Sequence, residues 1–129
     1  MRVNFMVCCE YASRLDNGSP ALMGVFRGIQ APGFPAHLDP FFLAIEIEVD
    51  SPMAGRSYFL ELRLIDEDGN SYLERDLEVE FRRRPDLGPS YCYFCERVHV
   101  GREIKKGGPF RFDLLLDGEI LSSARLDVG

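Results

Sequence analysis

Residues Gly107 to Val128, GGPFRFDLLLDGEILSSARLDV, carry the pattern that most restricts the fold. Phe110, Phe112 and Leu114 alternate with Arg111 and Asp113, the period-two signature of a strand with one buried face. Asp117-Gly118 then reverses the chain, because glycine accepts the positive φ of such turns. A two-residue turn would oppose Leu114 to Leu121 and send Ile120, Ala124, Leu126 and Val128 to the wrong face. A loop of Leu116-Asp117-Gly118, with Gly118 as a bulge, opposes Leu114 to Ile120, Phe112 to Ser122 and Phe110 to Ala124. The bulged register is the expected one, since a one-residue slip turns a whole apolar face to water.

Upstream, the same alternation recurs. Val3, Phe5, Val7, Cys9 and Tyr11 alternate with Arg2, Asn4, Met6, Cys8 and Glu10 as a first strand, and Asp16-Asn17-Gly18 turns into a second over Ala21 to Ile29. Gly24 and Gly28 mark bulges or close backbone contact within it. Residues 30–40, QAPGFPAHLDP, have no periodicity and read as a connection between sheets, ordered by Phe34 and Leu38 tucked beneath it. Phe41, Leu43, Ile45, Ile47 and Val49 then form an apolar row, as do Tyr58, Leu60, Leu62 and Leu64. A hairpin centred on Met53-Ala54 pairs Leu43 with Leu64, Ile45 with Leu62, Ile47 with Leu60 and Val49 with Tyr58. A two-residue Asp68-Gly69 turn pairs Leu64 with Leu73, Leu60 with Leu77 and Tyr58 with Val79, and sets Arg63 opposite Glu74. Arg75 interrupts the apolar row opposite Leu62, as a sheet edge or a snorkelling side chain would allow. Arg82 to Ser90 is a loop and Tyr91 to Val100 a strand. The expected fold is all-β: a single-domain antiparallel β-sandwich of seven or eight strands, with no helical crossover.

Composition narrows the function. At 129 residues the chain suits one ordinary core, and a net charge of −6 with pI near 4.9 argues against phosphate-backbone binding, so no nucleic-acid partner is expected. No run approaches the roughly 20 apolar residues that span a bilayer, so no membrane partner is expected either. MRVNFMVCCEYAS has one positive charge and a short, interrupted apolar run, unlike a signal peptide, which makes the cytoplasm the expected location and reduced thiols the expected state. Arginine outnumbers lysine thirteen to two, a bias that points to genome composition before function.

The opening CCEYASRLDNG with MGVFRGI, and the closing GGPFRFDLLLDGE, together resemble a family of short uncharacterised bacterial proteins, a domain of unknown function. The resemblance covers the whole chain, rests on turn and core residues, implies a β-sandwich-like pattern and, since the family carries no established activity, supplies no catalytic residue. The last hairpin is also similar to the final strands of immunoglobulin-like domains, with Phe110 where a tyrosine commonly anchors the corner. The Cys-Trp-Cys core of those domains is absent, so the likeness is one of architecture.

Four cysteines, Cys8, Cys9, Cys92 and Cys95, are the sharpest chemical candidates, since four thiolates can hold zinc. Against that, Cys92-Tyr-Phe-Cys95 reads as strand rather than as a tight knuckle, and buried unreactive thiols are the favoured reading. Asp66-Glu67-Asp68-Gly69-Asn70 is a hairpin turn rather than a calcium loop, because the later bidentate glutamate is missing. Arg82-Arg83-Arg84 is a solvated strand end, Glu46, Glu48 and Glu61 lie on an open face, and His37 and His99 have no nucleophile to serve. No catalytic residue and no cofactor are expected. The chain reads as a non-catalytic binding or assembly module; the alternative is a zinc-binding or thiol-dependent protein using the four cysteines. The registers above place Phe42, Ile65 and Tyr72 together as an apolar island with a charged rim, a contact for a protein partner or for a second copy in a homodimer. The competing expectation is that residues 30–40 fold back and cover it.

Overall fold

A computed structural model describes residues 1–129 as nine strands with no α-helix. They are β1 (Arg2–Arg14), β2 (Pro20–Phe26), β3 (Gly28–Ile29), β4 (Phe41–Val49), β5 (Arg56–Asp66), β6 (Ser71–Phe81), β7 (Ser90–Val98), β8 (Gly108–Leu116) and β9 (Glu119–Val128). One sheet has the order β2-β1-β4-β7 and the other β3-β9-β8-β5-β6. Every pairing is antiparallel except that of β3 with β9, which is parallel. The sandwich is as expected, with one strand more than the seven or eight read from the sequence. The extra strand arises because the stretch from Ala21 to Ile29 divides at Arg27, its first part in one sheet and its last two residues in the other.

The inner rows of the two sheets form one core, with Leu43, Ile45 and Ile47 facing Leu60, Leu62, Leu64, Phe112 and Leu126. The rows of β4 and β5 therefore meet, but face to face rather than edge to edge. The expected hairpin pairing Leu43 with Leu64 does not exist: β4 pairs with β1 and β7, and β5 with β6 and β8. Two matched apolar rows satisfy each other equally well by stacking, so alternation alone does not tell pairing from packing. The connection decides it. Ser51–Met53 makes a 3₁₀ turn, and Gly55, at φ +83°, donates its N–H to Phe81 O at 2.7 Å, starting β5 on β6.

Around β5 and β6 the expected partners hold: Leu64 faces Leu73, Leu60 faces Leu77, Tyr58 faces Val79 and Arg63 faces Glu74. The route differs. The loop has three residues, Glu67-Asp68-Gly69, with Asp66 N–H bonded to Asn70 O at 3.0 Å and Gly69 at φ +84°. Its extra residue is cancelled by a bulge that leaves Ile65 opposite Ser71, not Tyr72. Asp66 spends its carboxylate on this loop, accepting from the N–H groups of Asp68 and Asn70 and from the Asn70 amide.

The last hairpin reverses the same trade. Asp117 and Gly118, at φ +51° and +81°, form a two-residue turn with Leu116 opposite Glu119. The additional residue sits inside β9, between Ile120 and Ser122, so Leu114 faces Ser122, Phe112 faces Ala124 and Phe110 faces Leu126. The pairs expected from a three-residue loop are each displaced by two residues. The face is unchanged, which is why Leu126 and Val128 enter the core as the pattern requires.

Residues 30–40 do connect the sheets. Leu38 is buried, Phe34 is exposed against the expectation, and the segment is tied to the loop before β8 by reciprocal bonds of 2.8 Å between Ala36 and Ile104. Arg75 points inward from the β6 edge, and its Nη1 meets Glu96 Oε2 of β7 at 2.7 Å, closing the open side of the sandwich.

Candidate functional site: the β1–β2 hairpin and the sheet edges

The Phe42, Ile65 and Tyr72 island is not formed. Phe42 lies in the four-stranded sheet, between Cys9 and Arg97, while Ile65 and Tyr72 belong to the other sheet. Tyr11, rather than residues 30–40, packs edge-on against Phe42, with ring centroids 5.6 Å apart. Tyr72 turns to the core, its ring 5.1 Å from that of Phe110, with the Arg102 guanidinium 4.6 Å above it. The island was built on the β4–β5 hairpin, and it disappears with that hairpin.

Directly opposed residues share a face. The rows Cys9–Phe42–Arg97, Val7–Ala44–Cys95 and Phe5–Glu46–Tyr93 therefore lie on the outer face of the four-stranded sheet. The rows Cys8–Leu43–Glu96 and Val3–Ile47–Cys92 lie on its inner face. The four cysteines are thus split two and two by the sheet itself, which rules out a single tetrathiolate zinc site. No three His, Cys, Asp or Glu side chains are placed to hold a metal. All four thiols are free. Burial pushes Cys8 up to about 12 and raises Cys9 and Cys92, so the nucleophilic thiolate is disfavoured at each. Cys95 donates to the Tyr93 hydroxyl at 3.3 Å, and that phenol is itself raised by burial first and by this bond second.

What covers the outer thiols is the hairpin of β1 and β2. Within it the pairing skips Glu10 and Gly24: a Cβ at Gly24 would stand 2.9 Å from the Glu10 side chain, and Gly24 has φ +68°. Past this point Ala12 is buried with Cys9, Ala44 and Tyr93, and Arg14 donates to Tyr93 O on the far strand β7. Both faces of the arm leave apolar side chains in solvent: Tyr11, Leu15, Leu22, Met23 and Val25 are five of the ten exposed large apolar residues, with Met23 at 68%. That concentration was missed in the sequence, although the run Asn17 to Phe26, ten residues without a charge, signalled it.

The remaining edges are protected. On β7 the carbonyls of Tyr93 and Arg97 accept from Arg14 and Arg75. The β6 edge alternates exposed Glu74, Asp76, Glu78 and Glu80. Between the two edges runs a groove of about 860 Å³ whose lining includes Arg14, Glu80, Cys92 and Glu96. Of these, Arg14 and Glu96 are already paired within the fold, and Cys92 is held protonated by burial. The outer face of the five-stranded sheet is occupied by ion pairs: Arg63 with Glu61, Arg125 with Asp127, and Arg111 with a nearly buried Asp113 that also accepts from Ser123 at 2.5 Å. Arginine capping of backbone carbonyls recurs, with Arg83 on Ala54 O and Arg102 on Ser71 O, giving the arginine bias a structural use.

Fold and edges together define a two-sheet β-sandwich that closes most of its borders with its own side chains and leaves one hairpin bare. Residues 4–129 match the Family of unknown function (DUF6941), and the chain belongs to that family. No match was found among curated proteins. Among solved structures it is similar to the Pseudomonas fluorescens alkylpurine DNA glycosylase AlkC bound to DNA containing an abasic site analog. That likeness has TM-score 0.50 and 12% identity, over 80% of this chain and 27% of that one. It is similar too to the β-glucosidase from Listeria innocua, at TM-score 0.51 and 9% identity, over 80% of this chain and 14% of that one. The chain thus spans less than a third of the length of either, and at these identities the likeness is of fold alone.

Proposed function

We propose that the chain is a non-catalytic binding or assembly module, immunoglobulin-like in architecture, that works through the β1–β2 hairpin. The observation that carries this reading is the gathering of Tyr11, Leu15, Leu22, Met23 and Val25 on one exposed arm, whereas the outer face of the five-stranded sheet sets ion pairs around the exposed Phe59 and Ile120. Its architectural part rests on the run that changes sheets at Arg27 and on the two packed sheets. Four free thiols, three of them raised by burial, suit a reducing cytoplasm. Neither the DNA nor the sugar ligands named for the similar structures are assigned to this chain.

A photo-crosslinking amino acid placed at Met23, and separately at the equally exposed Phe59 on the far sheet, tests the proposal in the cells that make the protein. Discrete adducts from position 23 and none from position 59 are expected. Folded protein that yields no adduct from position 23 refutes it.

A further inference from the structure

We propose that β2 is the seam of a two-fold dimer, in which β2 of one copy pairs antiparallel with β2 of a second and joins two four-stranded sheets into one. This rests on the reading of the hairpin as the working surface and names its partner.

Strand edges are templates for further pairing unless they are blocked. The fold blocks β7 with arginines on its carbonyls, lines β6 with four carboxylates, and gives β3 only two residues. Two edges remain unpaired, β2 and the part of β9 that precedes Asp127; β9 carries Glu119 and Arg125 there, whereas β2 carries no charge. Leu15 N–H bonds Ser19 O at 2.9 Å, which sets the phase of the β1–β2 ladder. Antiparallel ladders alternate bonded and non-bonded pairs, so Ala21, Met23 and Val25 bond to β1 and the Leu22 amide points away from it. Pro20 on the same row has no N–H, and Gly24, at φ +68°, interrupts the pairing, so Leu22 and the outward carbonyls are the groups this edge offers.

Charge selects the occupant. The chain carries −6, so two copies repel over most of their surfaces, yet Asn17 to Phe26 carries no charge at all. Asp16 precedes this strip and Arg27 follows it. Full overlap of two antiparallel β2 strands puts the two-fold at Met23, the midpoint of Pro20–Phe26, and opposes Leu22 to Gly24 of the second copy. It also sets the Asp16 end of each copy beside the Arg27 end of the other. A strip that is apolar along its length and opposite in sign at its ends is complementary to itself, as an isologous contact requires.

Size-exclusion chromatography with light scattering, read over a range of concentrations, provides the test. The wild type is expected to dimerise. Met23→Lys opposes two like charges across the axis and is expected to raise the dimer dissociation constant about tenfold or more. Met23 is exposed, so circular dichroism should show an unchanged fold. Met23→Cys should form a disulfide dimer on mild oxidation, while Phe59→Cys should not, both made with Cys92→Ser and Cys95→Ser so that the half-buried native thiols take no part; Cys8 and Cys9 are buried. A wild type that is monomeric at all concentrations, with adducts from position 23 to a different protein, overturns the dimer and leaves the binding module standing. A monomer with no adducts overturns both.

Discussion

The Arg75–Glu96 pair offers the sharpest test of how the sandwich is held shut. Arg75 faces inward opposite Leu62, and its guanidinium meets Glu96 at 2.7 Å with the two side chains 35% and 22% exposed. A fully exposed pair contributes about 0–1 kcal/mol and a broken buried pair costs about 3–5 kcal/mol. Partial exposure places this one between them. Glu96→Gln should destabilise by about 1–2 kcal/mol, because it leaves a half-buried guanidinium with only its long bond to Arg97 O at 3.3 Å. Arg75→Met should cost less, since the methionine extends the row of Leu73, Leu77 and Val79. In a double-mutant cycle by urea denaturation, the coupling should be about 1 kcal/mol and should shrink in high salt. Additive single effects, with no coupling beyond error, would refute the view that this bridge closes the open side.

Three further outcomes are expected. Gly24→Ala should cost about 1–3 kcal/mol, from a positive φ and a Cβ placed 2.9 Å from Glu10, with part recovered on adding Glu10→Ala in thermal melts. Phe112→Ala, at the centre of the core, should cost about 3–5 kcal/mol in urea titrations. The Cys8 thiol rises from an ordinary 9.0 to about 12 on folding, so its contribution to stability is intact below pH 9 and is lost as pH climbs towards 12. Cys8→Val should flatten the fall in urea midpoint between about pH 9 and pH 11; an unchanged slope would show that other groups govern it.

Much of the sandwich could be read from alternation, because each row from Phe41 to Val49, Tyr58 to Leu64 and Phe110 to Leu114 has one apolar face. Which strands are neighbours could not. The β4 and β5 rows match whether paired or stacked, and the choice lies in a 3₁₀ turn and one glycine amide on Phe81. Loop length is illegible for a related reason: Asp-Gly occurs both at Asp68-Gly69 and at Asp117-Gly118, yet the first closes a three-residue loop and the second a two-residue turn. In each case a bulge within the next strand restores the buried face, so face is a stronger signal than partner. The site was less legible still. Arg75 stood out only as a break in a pattern, because its partner Glu96 lies 21 residues away on another sheet. The bare hairpin is hidden by the continuous uncharged run from Ala21 to Phe26, which reads as a strand buried on both faces rather than as an exposed edge.

The parallel pairing of β3 with β9 joins Gly28 to Asp127 and Ile29 to Val128, and Gly129 N–H bonds Ile29 O at 2.9 Å. During synthesis, β3 leaves the ribosome roughly a hundred residues ahead of its partner. It cannot take its place in the five-stranded sheet until the last strand is free of the exit tunnel, a closure of high contact order and therefore slow. The β1–β2 hairpin, made of neighbouring segments, can form long before that. A nascent chain would present its uncharged edge strand ahead of a finished core, so crowded polysomes hold many such edges close together. In the dimer proposed above, pairing at β2 would begin on the growing chains, before either molecule is complete.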